Sequence, residues 1–93
     1  MTSVKICGLQ KVEHVIAAAS AGADALGFVF VPAARRRLTL ERAKTLLAEY
    51  RSNPNCKPSI QIVGLFANQP VHEVNATAAM LSLDAVQLSG SED

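Results

Sequence analysis

A cysteine followed at once by a glycine closes the short apolar run VKIC, and a buried strand needs neither residue at that point. Cys7 and Gly8 therefore read as a reactive group set at a strand's exit. A free thiol titrates near pH ~8.5, close enough to neutral for its thiolate to act as base or nucleophile once a positive charge stands nearby. The same cysteine also suits a small buried hydrophobe, and the residues alone leave both readings open. Gly8 permits close backbone approach or a positive φ. Three consecutive arginines, Arg35, Arg36 and Arg37, supply positive charge between a strand and a helix. A guanidinium grips carboxylate or phosphate through a two-pronged fork, although a run of charge can equally be a solvated face. The remaining candidates are weaker. Cys56 lies in a loop rich in turn formers, and His14 and His72 lie on expected helices with no metal-ligand spacing to a cysteine or carboxylate. The triplet NAT at Asn75 falls inside an expected helix and is incidental.

The elements that must position these groups follow from the hydrophobic period. SVKIC reads as a strand, and Val12, Val15, Ile16 and Ala19 share one helical face that stops at Gly22. DALGFVFV is almost continuously apolar, as expected of a strand covered on both faces. Thr39 suits the N-cap of a second helix with Leu40, Ala43, Leu47 and Tyr50 inward. IQIVGLF returns to a strand. Pro70 then opens a third helix with Val71, Val74, Ala78 and Leu81 inward, and LDAVQL closes the series. Strand and helix alternate three times before a last strand, which predicts right-handed βαβ units, a parallel sheet and the α/β class. Asp24-Ala25 and Asp84-Ala85 precede two of the strands, a faint internal echo. Four such strands leave an apolar edge to be covered, so residues 1–93 are expected to be the amino-terminal part of one barrel domain, about (βα)3β, with no internal boundary.

Composition narrows the partners. Apolar residues make up 49% of the 93 and charged residues 18%, a globular balance and not a disordered one. A formal net charge of +1 provides no field for recruiting nucleic acid or an anionic membrane, so any anion recognition must be local. ALGFVFVPAA is far shorter than the ~20 residues of a membrane span. The amino terminus lacks the features of a secretory signal, which makes the cytosol the expected location and reduced thiols the expected state of Cys7 and Cys56.

Ligands of parallel α/β sheets bind at the carboxyl ends of the strands, where this chain places Cys7-Gly8, residues 32–37, Asn68-Gln69 and Ser89-Gly90. Taken in order, VKICGL, GADALGFVFVP, ARRRL, IVGLFANQP and LDAVQLSG resemble the phosphoribosylanthranilate isomerase family of tryptophan biosynthesis, and look most like its fungal members. The resemblance runs through nearly the whole chain. It implies a (β/α)8 TIM barrel of parallel strands, without cofactor or metal, that carries out an Amadori rearrangement of a phosphosugar-anthranilate, a small-molecule substrate. It further implies that Cys7 is the general base and Arg36 the grip on the anthranilate carboxylate, with Gly8, Gln87 and Ser89 as weaker substrate contacts. Spacing leaves Arg35 and Arg37 open as the clamp. Ser89 stands where the family usually has a histidine. The family's general acid and phosphate loops lie on later strands, so the chain alone is expected to be inactive. Its expected partners are the other half of the barrel or a fused pathway enzyme. Two other readings fit the residues: a different phosphosugar barrel in which Cys7 is structural, and a non-catalytic α/β module that binds an anion or partner through the arginines.

Overall fold

Among the described residues each of the first three strands pairs with the strand that follows it in the chain. The computed structural model describes residues 4–32, 34–54, 56–57 and 59–88. Its elements run β1 (Lys5–Cys7), α1 (Val12–Ser20), β2 (Ala25–Val29), α2 (Leu40–Arg51), β3 (Gln61–Phe66), α3 (Val71–Leu81) and β4 (Ala85–Leu88). The sheet order is β1-β2-β3-β4 and all three pairings are parallel. An order that never reverses, joined by crossovers of one hand, puts every helix on the same face, whereas a doubly wound sheet reverses and is covered on both.

The helix-covered face holds the core. Leu26 and Phe28 from β2 and Ile62 and Phe66 from β3 pack with Val15, Leu46, Leu47 and Tyr50 from the helices. Each large apolar side chain enclosed in this layer stabilises the fold by about 1.5–3 kcal/mol. Phe30, just past β2, stacks on Phe66 with ring centroids 5.2 Å apart. Thr39 caps α2 as its position predicts, its hydroxyl accepting from the Arg42 amide at 3.1 Å. In α3 the expected inward stripe is corrected at its start. Val74 and Leu81 are buried, but Val71 is 73% exposed. It lies in the first turn, before the helix reaches the sheet. In α2 the buried set adds Leu46 and leaves Leu40 only half-buried.

The opposite face carries Lys5, Cys7, Ala25, Gly27, Val29, Val63, Leu65 and Gln87, by register and the two-residue period of strands. Lys5 Nζ donates to Gln87 Oε1 across this face. In a flat sheet β1 and β4 would lie ~14 Å apart and the two residues ~13 Å out of step, beyond the reach of the two side chains. Tilted strands and a coiled sheet, with this face concave as in a barrel wall, bring the two side chains together.

The amino-terminal ends of the strands are tied by two aspartates. Asp24 Oδ2 accepts from the Val4 amide at 2.7 Å, and Asp84 Oδ2 accepts from the Ile62 amide at 2.7 Å. The echo noticed in the sequence is therefore one structural device used twice. Each carboxylate precedes a strand and holds an amide at or just before the start of the strand beside it.

Candidate active site

At the carboxyl end of β1 the ladder continues one residue past the strand, with the Gly8 amide donating to Gly27 O at 3.1 Å. Gly8 then takes φ +79°, in the left-handed region that favours glycine, and turns the chain towards α1. Cys7 is half-buried and stands in register with Gly27 on β2. Its Sγ leans over that glycine. A Cβ built on Gly27 would lie 2.8 Å from the sulfur.

The loop after β2 is stapled back on the strand it leaves. Leu38 N donates to Val29 O at 2.7 Å and Arg37 forms an isolated bridge with Val29. Within that loop the side chain of Arg37 reaches Pro32 O at 3.4 Å. Arg36 crosses to the exit of β1. A Cβ on Gly8 would lie 2.8 Å from Arg36 Cδ and 3.2 Å from Nη1, so the space that Gly8 leaves empty is where Arg36 packs. Arg36 is thereby the arginine that meets Cys7-Gly8, a choice that spacing left open. Arg42 Nη2 donates to Gln10 O at 3.1 Å and pins the loop between β1 and α1. Gln69 acts likewise at the third exit, accepting from the Ala67 amide at 2.6 Å and donating to Phe30 O at 2.7 Å.

Cys7, Gly8 and Arg36 line one cleft of about 440 Å³ together with Gln10, Lys11 and His14. Lys11 and His14 were missed by sequence reasoning, which set His14 on a helix away from the strand exits. The short loop brings the first turn of α1 back over the end of β1. Among the described residues the cleft's lining holds three basic side chains and no carboxylate. Such an arrangement can take a proton or attack a carbon through the thiol and hold an anion through the guanidinium. Gln87 faces the concave side but is held by Lys5 and does not line the cleft. Ser89 lies outside the described residues. Among the described residues no three metal-ligating side chains gather, and no helix is long and apolar enough to cross a membrane.

A second cavity of about 330 Å³ sits at the other end of the strands, lined by Tyr50, Arg51, Cys56, Lys57, Ile60 and Asp84 among others. Its Arg51, Tyr50 and Asp84 side chains are engaged with backbone. Arg51 donates to Leu81 O at 2.7 Å and Ser82 O at 2.9 Å, and Tyr50 Oη accepts from the Lys57 amide at 3.2 Å. Burial pushes the Tyr50 phenol above its usual range, and its hydrogen bond with Cys56 acts in the same direction.

A coiled parallel sheet, helices on its convex face and polar side chains at its carboxyl end together define part of a (βα)-barrel protein with a site where barrels carry their chemistry. Comparison with known proteins gives the family. Residues 4–93 match the model of N-(5'-phosphoribosyl)anthranilate (PRA) isomerase, and the chain belongs to that family. It is 45% identical over 92 residues to the N-(5'-phosphoribosyl)anthranilate isomerase of Pelobacter propionicus, covering 99% of this chain and 41% of the relative. With the Geobacter sulfurreducens enzyme the identity is 47%, covering 99% and 42%. The fold matches phosphoribosyl anthranilate isomerase from Thermotoga maritima with a TM-score of 0.86 at 35% identity, covering 100% of this chain and 42% of that one. A further phosphoribosyl anthranilate isomerase structure, similar to the same degree, was solved in complex with reduced 1-(o-carboxyphenylamino)-1-deoxyribulose 5-phosphate. The chain thus spans less than half the length of the curated relatives it matches.

Proposed function

We propose that this chain supplies the base and the carboxylate clamp of an N-(5'-phosphoribosyl)anthranilate isomerase, and that residues 1–93 form the amino-terminal part of a single barrel domain working in the cytoplasm. The observation that carries the reading is the meeting of Cys7 and Arg36 in one cleft at the exit of β1. Arg36 holds the anthranilate carboxylate through its guanidinium fork. A general acid from another part of the barrel protonates the furanose ring oxygen, and the ring opens to a protonated Schiff base. The Cys7 thiolate then removes the proton from C2 of the sugar. The electron pair of that C–H bond moves towards the iminium and neutralises it, giving an enolamine. Protonation at C1 and loss of the C2 hydroxyl proton turn the enolamine into the ketone of 1-(2-carboxyphenylamino)-1-deoxyribulose 5-phosphate. The positive iminium next to the reacting carbon favours both a thiolate base and loss of the proton. Gly8 and Ser89 serve as lesser contacts to the substrate, and Gln87, which lies outside the cleft and pairs with Lys5, does not.

Among the described residues no carboxylate lines the cleft, and in this reading residues 1–93 alone give no turnover. The test is complementation. The chain is mixed with a polypeptide carrying the part of the Pelobacter propionicus relative beyond the aligned stretch, and consumption of N-(5'-phosphoribosyl)anthranilate is followed. Turnover by the mixture and by neither piece supports the proposal. A stable complex that binds substrate and never turns it over overturns it.

A further inference from the structure

Gly27 occupies the middle of β2, where glycine weakens a strand and a β-branched residue would be ordinary. Its missing side chain would point to the concave face, as Cys7 and Val63 do beside it in register. A Cβ at this point would meet Cys7 Sγ at 2.8 Å, Leu65 Cδ1 at 3.0 Å and Cys7 Cα at 3.3 Å. Leu65 touches with the end of a flexible side chain and can give way. The Cys7 backbone is held by the β1–β2 ladder and cannot. The atom left to move is the sulfur.

We infer that Gly27 is a positioning residue: the space left by its absent side chain is the seat of the Cys7 thiol, and it holds the sulfur over the concave sheet. With that seat filled, the sulfur turns off the sheet towards the open cleft, becomes more exposed and leaves the line of the C2 proton. The kinetic part of this inference rests on Cys7 being the base, whereas the seat itself does not.

The first measurement needs no enzyme activity. In Gly27→Ala, iodoacetamide alkylation of Cys7 is timed by peptide mass spectrometry, with Cys56 in the same chain as reference. The expected result is a Cys7 rate raised about three-fold or more at an unchanged Cys56 rate, since thiols react according to their access. An unchanged or slower Cys7 rate overturns the inference. If Gly27→Ala fails to fold, both cysteines react at unfolded rates, and the double variant Cys7→Ala/Gly27→Ala decides. Recovery of the fold once the sulfur is gone supports the seat, and failure of the double variant overturns it. In the complemented barrel Gly27→Ala should lower kcat about 100-fold while KM stays within about three-fold, as a misplaced reacting group does. Faster alkylation with unchanged kcat keeps Gly27 as the seat of the sulfur and removes Cys7 from the role of base.

Discussion

The two ends of the same four strands are built to opposite rules. At the amino ends the carboxylates of Asp24 and Asp84 are each committed to a backbone amide, and Arg51 is committed to two carbonyls at the end of α3. At the carboxyl ends the chain places a half-buried thiol, an exposed guanidinium and two further basic side chains around an open cleft. The loops there are held by residues outside the cleft, such as Gln69, or by groups bonded to backbone, such as Arg42. Polar groups at one end stabilise the sheet, while those around the cleft at the other are the ones that meet the substrate in the proposed function. Barrel folds divide stability from chemistry in the same way.

This division can be broken at either end. The largest effect belongs to Cys7→Ala, which should lower kcat of the complemented barrel by ~10²–10⁴, the usual contribution of a general base, with little change in KM. Steady-state kinetics checks it, and a variant that keeps full turnover would make the thiol structural. Arg36→Leu should raise KM by about 10–100-fold, the loss of a charge-assisted hydrogen-bonded grip, and Arg36→Lys should recover part of it.

At the other end the effect should be on stability alone. Asp84→Ala strands the part-buried Ile62 amide and should cost ~1–3 kcal/mol in urea unfolding, whereas Asp24→Ala frees the more exposed Val4 amide and should cost less. The folded fraction of either variant, once complemented, should keep its kcat. Should Asp84→Ala abolish turnover while folding normally, the separation of the two ends would fail.

The smallest effect is alkaline. Tyr50 has an ordinary value of 10.0 and its folded-state pKa lies above it, chiefly through burial. The folded chain therefore keeps a proton that the unfolded chain has lost. That contribution to stability is full below pH 10 and disappears as pH rises through the folded value. Tyr50→Phe should flatten this part of the stability profile, as measured by thermal melts across alkaline pH.

Much of the architecture was legible in the residues because each element carries its own signal. The almost unbroken apolar run DALGFVFV, the Thr39 cap and the proline before α3 each mark an element or a boundary without help from the rest of the chain. Val71 misled because a helical stripe says which residues align, not where along the helix the sheet begins. Cys7-Gly8 stood out because both residue types are unusual at a strand's exit. The family resemblance pointed to Arg36, but spacing alone left all three arginines open, since the choice depends on Leu38 and Arg37 being stapled to Val29 and on space left by a glycine 28 positions earlier. Lys11 and His14 join the cleft through a loop conformation that no local pattern encodes. For Gly27 a signal did exist: a lone glycine within a strand indicates that something approaches its backbone closely.

Spatial order in this sheet is identical to chain order, and each new strand is laid along the one just made. A nascent chain can therefore grow the wall from its first strand outward, needing at every stage only residues already synthesised. Each finished edge then stays open only until the strand that follows it is made.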